Sequence, residues 1–200
     1  YFLDEPVVDG GVEASFYSVA SHVSGLGVWA HETAHLLGME DRYDPRLAPD
    51  QGSDVRSRGG LGRFSLMASG AWGTGGGESP ALPDAYSCLQ MGWLAARDLD
   101  TTSAGAQILR PGLVDGEAGR IWTDGEIGEE FYVLETRDPA TAAPFDAAVP
   151  AGQLIIYHVD ESEPEGYLVE DGPGSFHLRV RLVEADADGA DKAEAGLQQA

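Results

Sequence analysis

The chain has 200 residues, 42% of them hydrophobic, and a formal net charge of −22. That length suits one large domain or two small ones, with enough apolar residues for a core. So negative a surface repels nucleic acid and anionic membrane, which excludes both as partners, and it favours basic ligands or divalent cations. No apolar run reaches the roughly 18 residues of a membrane span, so no membrane insertion is expected. The single cysteine, Cys88, rules out an intrachain disulfide, and its apolar setting between Ala85 and Met91 predicts a buried thiol. The sequence starts at Tyr1 with no visible signal peptide, so it reads as processed or as cut from something longer.

In chain order, Tyr1 to Val8 and Val12 to Ala20 read as strands around Asp9-Gly10-Gly11, a hairpin. A helix follows, with Ser24 as N-cap, Leu26, Ala30, Thr33 and Leu37 along one face, and Gly38 at its end. Residues 40–63 have no helical or strand period and read as a long loop, a feature that in a compact domain usually serves function. Residues 73–80, with three successive glycines, form a second loop. Asp84 caps a short helix that runs to Met91 and stops at Gly92-Trp93. Beyond residue 99 the texture turns to β: Ala106–Leu109, Gly119–Trp122, Glu130–Arg137, Gln153–Val159 and Ser175–Val183. Residues 185–200 read as a loop or tail. The predicted fold class is α+β, with a helix-bearing part over 1–98 and a β-rich, sandwich-like part over 99–200.

The chemistry concentrates in His31-Glu32-Thr33-Ala34-His35-Leu36-Leu37-Gly38-Met39-Glu40-Asp41. On a helix, His31 and His35 share a face and can reach one ion, while Glu32 flanks it without taking a coordination position. That is the place of a general base beside a zinc ion. Gly38 lets the chain turn so that Asp41 comes back as third protein ligand, leaving a fourth position open, as catalytic zinc requires. Ser65 to Trp72 looks like a Met-turn, which would put Met67 in the core beneath the metal. The predicted site is thus Glu32 as catalytic base with His31, His35 and Asp41 as metal ligands.

These motifs resemble the immune-inhibitor-A-like secreted bacterial metalloproteases. The resemblance runs from Gly27 through Asp41-Arg42-Tyr43-Asp44, over Ser65–Trp72, Ala85-Tyr86-Ser87 and Met91-Gly92-Trp93. It continues more softly over Glu130–Arg137, Gly152–Asp160 and Glu184–Gly189. It implies a metzincin-like zinc endopeptidase, secreted, acting on protein or peptide substrates, with calcium as a second ion. Oxygen ligands for calcium stand at Asp41, Asp44, Asp50 and Asp54, and more weakly at Asp186 and Asp188. Two departures stand out. The family's catalytic domain begins well before the segment matching Tyr1, so these residues read as its C-terminal portion, with an open-edged hairpin and a loosely supported site. Met39 and Glu40 replace an apolar residue and proline.

A rival reading is an inactive relative serving as a β-rich binding or adhesion module; the intact Glu32 speaks against it. His158 reads as a satisfied histidine within a strand, and His22 and His177 as ordinary. Tyr43 and Tyr86 read as packing residues, each able in principle to donate to an oxyanion.

Overall fold

The structure, a computed structural model, describes residues 2–43, 60–102, 105–110, 116–150, 153–163 and 179–183. It is a mixed α/β arrangement of two sheets and few helices. Strands β1 (Phe2–Asp9) and β2 (Val12–Phe16) form the expected antiparallel hairpin. Gly10 and Gly11, at φ 55° and 84°, supply the left-handed positions of its two-residue turn. β2 ends short of the predicted Ala20.

Helix α1 (Leu26–Leu36) begins one residue later than expected, with Gly25 rather than Ser24 at the N-cap and no side-chain cap bond. Backbone replaces the cap: the amide of Gly27 donates to the carbonyl of Gly77 at 2.8 Å. The three-glycine loop comes so close that a Cβ at Gly25 would stand 2.6 Å from the Gly76 oxygen. The buried face also differs from the predicted one. Leu26 and Leu37 are 52% and 53% exposed, and Thr33 is exposed. Gly27, His31 and Ala34 turn inward instead. Close backbone packing selected this face, because at Gly27 the helix meets the carbonyl of Ala71 with no room for a side chain.

The second sheet has five strands in the order β3 (Ala95–Asp98), β4 (Glu117–Trp122), β5 (Glu130–Arg137), β6 (Gln153–Asp160) and β7 (Val180–Leu182). β3 and β4 are parallel and the rest antiparallel. Three predicted strands, near 119–122, 130–137 and 153–159, fall in β4, β5 and β6. β3 was invisible to propensity, because Ala-Ala-Arg-Asp contains no β-branched residue. Pairing to β4 makes it a strand, helped by Arg97 on Glu117 at 2.6 Å and Arg120 on Asp98 at 2.7 Å. The expected strand Ala106–Leu109 is irregular, and the Ile108 carbonyl accepts from the Arg97 guanidinium at 2.7 Å rather than from a strand neighbour. The described residues hold one open sheet here, without the facing sheet that a sandwich needs.

Helix α2 (Ala85–Gln90) and two 3₁₀ turns (Gly62–Phe64 and Ser69–Trp72) complete the body, with a single turn α3 (Pro139–Ala142) after β5. The larger core packs Leu61, Ala68, Ala85 and Tyr86 against Ala118, Phe131, Val133, Ile155, Tyr157 and Val159, so it draws on both sides of residue 98. At the end of β5 the inward face becomes charged. Buried Arg137 donates to Glu135 and Asp146 at 3.1 Å each and to the Pro83 carbonyl at 2.8 Å. The Tyr157 hydroxyl also donates to Glu135. These bonds tie the segment leading into α2 onto the sheet. Cys88 is buried as expected, and burial, then the charges of Asp84 and Glu135, push its thiol up to about 12, which leaves it inert.

A smaller core of Ala34, Met39, Leu66, Met67 and Ala71 sits between α1 and the 65–72 segment. Gly27→Ala tests this packing. At an open helix position the change stabilises by about 1 kcal/mol. Here the new Cβ would overlap the Ala71 carbonyl and crowd the Pro80 Cβ at 2.8 Å. Urea unfolding should therefore show a loss of about 1–3 kcal/mol; a gain would refute the close approach.

Candidate metal centre

The helix spacing puts His31 and His35 on one side of α1, with ring centroids 4.7 Å apart and planes nearly perpendicular. The chain then reverses through a Schellman turn. The Met39 amide bonds the Ala34 carbonyl and the Gly38 amide bonds the His35 carbonyl, both at 3.0 Å, with Gly38 at φ 102°. Met39 closes the turn by burying beside Ala34, so the apolar methionine at this departure from the family pattern serves as the turn's hydrophobic contact. Asp41 follows two residues on and faces both imidazoles.

Three ligand atoms converge. His31 Nε2 and His35 Nε2 are 3.1 Å apart, and Asp41 Oδ1 lies 3.2 and 3.3 Å from them. Ligands at about 2.0–2.1 Å on a tetrahedral zinc ion stand about 3.3–3.4 Å from one another, so the triangle has the dimensions of one face of such a site. The protonation pattern agrees. His31 Nδ1 donates to the Leu66 carbonyl at 2.9 Å, and His35 Nδ1 to the Met39 carbonyl at 2.8 Å. Those bonds fix the tautomer that leaves both Nε2 lone pairs free for an ion. While both rings are neutral, neither Nε2 has a proton for the buried Asp41 Oδ1; a ring that takes up a proton becomes its donor. Two facing lone pairs and an orphaned carboxylate oxygen are what a cation would satisfy. Among the described residues this is the one cluster of three metal-competent side chains within reach of a common ion.

The electrostatics follow from the same geometry. Burial opposes ionisation of Asp41, but hydrogen bonding and charge from His31 and His35 prevail and hold its carboxyl well below the usual carboxylate range. The hydrogen bond to Asp41 raises His35 above its ordinary 6.5. Burial opposes the rise; the Met39 carbonyl and the charges of Asp41 and Glu32 assist it. Glu32 is half-buried, next to His31 on α1.

The other singled-out residues sort by position. Met67 is fully buried in the small core behind the histidines, and its neighbour Leu66 supplies the carbonyl that holds His31. Tyr43 is half-buried with its ring centroid 6.3 Å from that of His31. Tyr86 belongs to the sheet core; its hydroxyl donates to Glu161 at 3.0 Å, and the Arg42 guanidinium lies over its ring. His158 is a satisfied strand histidine. It accepts from Arg181 Nε on Nδ1 at 3.2 Å and donates from Nε2 to Glu130 at 2.6 Å. His22 is exposed. Asp44, Asp50, Asp54, His177, Asp186 and Asp188 lie outside the described residues. Sequence reasoning missed the two orienting carbonyls, which carry no side-chain signal. It read Asp84 as a helix cap and Ser65 as part of the Met-turn, but missed that they join Ser87 in one buried polar group.

Residues 4–96 match the family model for the immune inhibitor A peptidase M6 catalytic domain. The matched stretch contains His31, Glu32, His35, Asp41 and Met67. No curated protein and no solved structure matches the chain.

The sign of the pH dependence is fixed by the raised value at His35. In metal-free protein, protonated His35 gives Asp41 the missing hydrogen, so this stabilisation is fully present below pH 6.5 and is lost as pH rises through the raised value. A cation needs the deprotonated ring, so apparent metal affinity should fall about tenfold per pH unit below that value. Imidazole NMR of the metal-free protein should place His35 above 6.5, and Asp41→Asn should bring it down. A His35 that titrates alike in both proteins would break the argument.

Proposed function

We propose, on the match of residues 4–96 to the family model for the immune inhibitor A peptidase M6 catalytic domain, that this chain is a zinc-dependent endopeptidase, secreted, that hydrolyses peptide bonds of proteins. The observation that carries this reading is the convergence of His31 Nε2, His35 Nε2 and Asp41 Oδ1 within 3.3 Å of one another, on tautomers set by two backbone carbonyls. His31, His35 and Asp41 hold the ion. Zinc, when bound, supplies the Lewis acidity that polarises the scissile carbonyl and acidifies water.

The remaining work belongs to side chains. Glu32, carried on α1 beside His31, takes the proton from the attacking water and passes it to the leaving amine. The Leu66 and Met39 carbonyls keep the imidazole rings from rotating while charge changes in front of them. The substrate lies extended along β2, which pairs with β1 on one side only among the described residues, and adds to the sheet as a strand. The acidic chain, at −22, favours basic segments of protein substrates. No helix among the described residues is long and apolar enough to cross a membrane.

Purified without chelator, the protein should carry about one zinc per chain. Asp41→Ala should weaken zinc by about 100-fold or more; unchanged affinity removes Asp41 from the ligand set. Glu32→Gln should keep its zinc and its fold while casein hydrolysis drops by about 10²–10⁴-fold. Parental turnover in that variant would reject Glu32 as the base, whereas a zinc-loaded parent that leaves casein uncut would put the inactive-module reading in its place.

A further inference from the structure

Asp84 makes more bonds than a helix cap needs. Its side chain is wholly buried. Oδ1 accepts the Ser87 amide at 2.9 Å, which is the capping bond of α2. Oδ2 accepts two hydroxyls, Ser87 Oγ at 2.9 Å and Ser65 Oγ at 2.7 Å. Each hydroxyl carries the connection toward a different part of the metal centre.

The first arm reaches His31. Ser65 Oγ accepts the Met67 amide at 3.0 Å, closing the turn whose central carbonyl, that of Leu66, takes the Nδ1 proton of His31 at 2.9 Å. The second arm reaches Asp41. Ser87 Oγ accepts from Nε of the buried Arg42 at 3.1 Å, and Arg42 Nη2 donates to Gln90 at 2.6 Å. The Arg42 backbone is gripped as well: its amide donates to the Met67 carbonyl at 2.7 Å, and its carbonyl accepts from Leu61 at 2.9 Å. Arg42 is covalently next to Asp41, so fixing it fixes where the carboxylate can stand.

The directions of these bonds are forced. Each serine hydroxyl has one proton and accepts an N–H, so that proton must go to Asp84, and a carboxylate can only accept. Both hydroxyl protons therefore end on one acceptor, Asp84 Oδ2. α1 alone spaces the two histidines, but nothing in the helix places the loop residue Asp41 against them. We infer that Asp84 is a positioning residue of the metal centre, holding Asp41 and the ring of His31 in register through its two serine arms. This rests on the proposed zinc site.

The test uses the full chain and reads zinc affinity by chelator competition and the visible spectrum of the cobalt(II)-loaded protein. Asp84→Asn puts an amide N–H₂ among donors. It should weaken zinc about tenfold or more and change the cobalt bands. Glu135→Gln, an equally buried carboxylate bonded to Arg137 and Tyr157 instead, should lower the melting temperature and leave affinity and spectrum as in the parent. Ser87→Ala keeps the capping bond and removes the hydroxyl link from Asp84 to Arg42, leaving only their ion pair at 4.0 Å, so it decides the matter if Asp84→Asn does not fold; it should show a smaller loss of the same kind. Parental affinity and spectrum in a folded Asp84→Asn, or in Ser87→Ala, would overturn the inference alone. A parent chain that binds no zinc would overturn it together with the proposed function.

Discussion

The hydrogen bond from His31 Nδ1 to the carbonyl of Leu66, at 2.9 Å, joins the two halves of the site. It locks the ring, leaves Nε2 as a lone-pair donor, and binds α1 to the segment that carries Met67. For that bond to form, the helix must lie against the 65–72 segment at backbone distance. Gly27 makes that possible, since any side chain there would strike the Ala71 carbonyl. The same approach turns Ala34 and His31 inward and leaves Leu26 and Leu37 outside. Close backbone approach, rather than the largest side chains, decides which face of α1 turns inward.

Behind this contact the protein invests in polar rather than apolar support. Asp84 with Ser65, Ser87 and Arg42, and Arg137 with Glu135 and Asp146, are buried networks whose members bond one another directly. Such groups contribute less net stability than hydrophobic packing, but each demands one geometry, because an unmet buried donor is costly. Both networks converge on residues 82–87, the entry to α2. That segment ties the open sheet to the turns beside the candidate site.

Much of this was legible in the sequence because it depends on local spacing. The four-residue interval of His31 and His35, the glycine at position 38 and the cap at Asp84 are properties of a helix and its ends, and the structure has them where the spacing put them. The strands read at 130–137 and 153–159 were likewise written in their local pattern, and the structure has them there. What local pattern could not determine depends on contacts distant along the chain. β3 is a strand only because β4 pairs with it, residues 105–110 are irregular although they alternate, and the inward face of α1 is set by a loop some forty residues away. The ligand types were readable as side chains; their orientation was not, because it is held by the backbone oxygens of Leu66 and Met39, and every residue carries such an oxygen. Sequence alone determined which atoms can bind an ion, since that is the chemistry of the side chain. Only the tertiary structure decided that three of them stand one tetrahedral edge apart, since that distance is set by what the rest of the chain packs and bonds behind them.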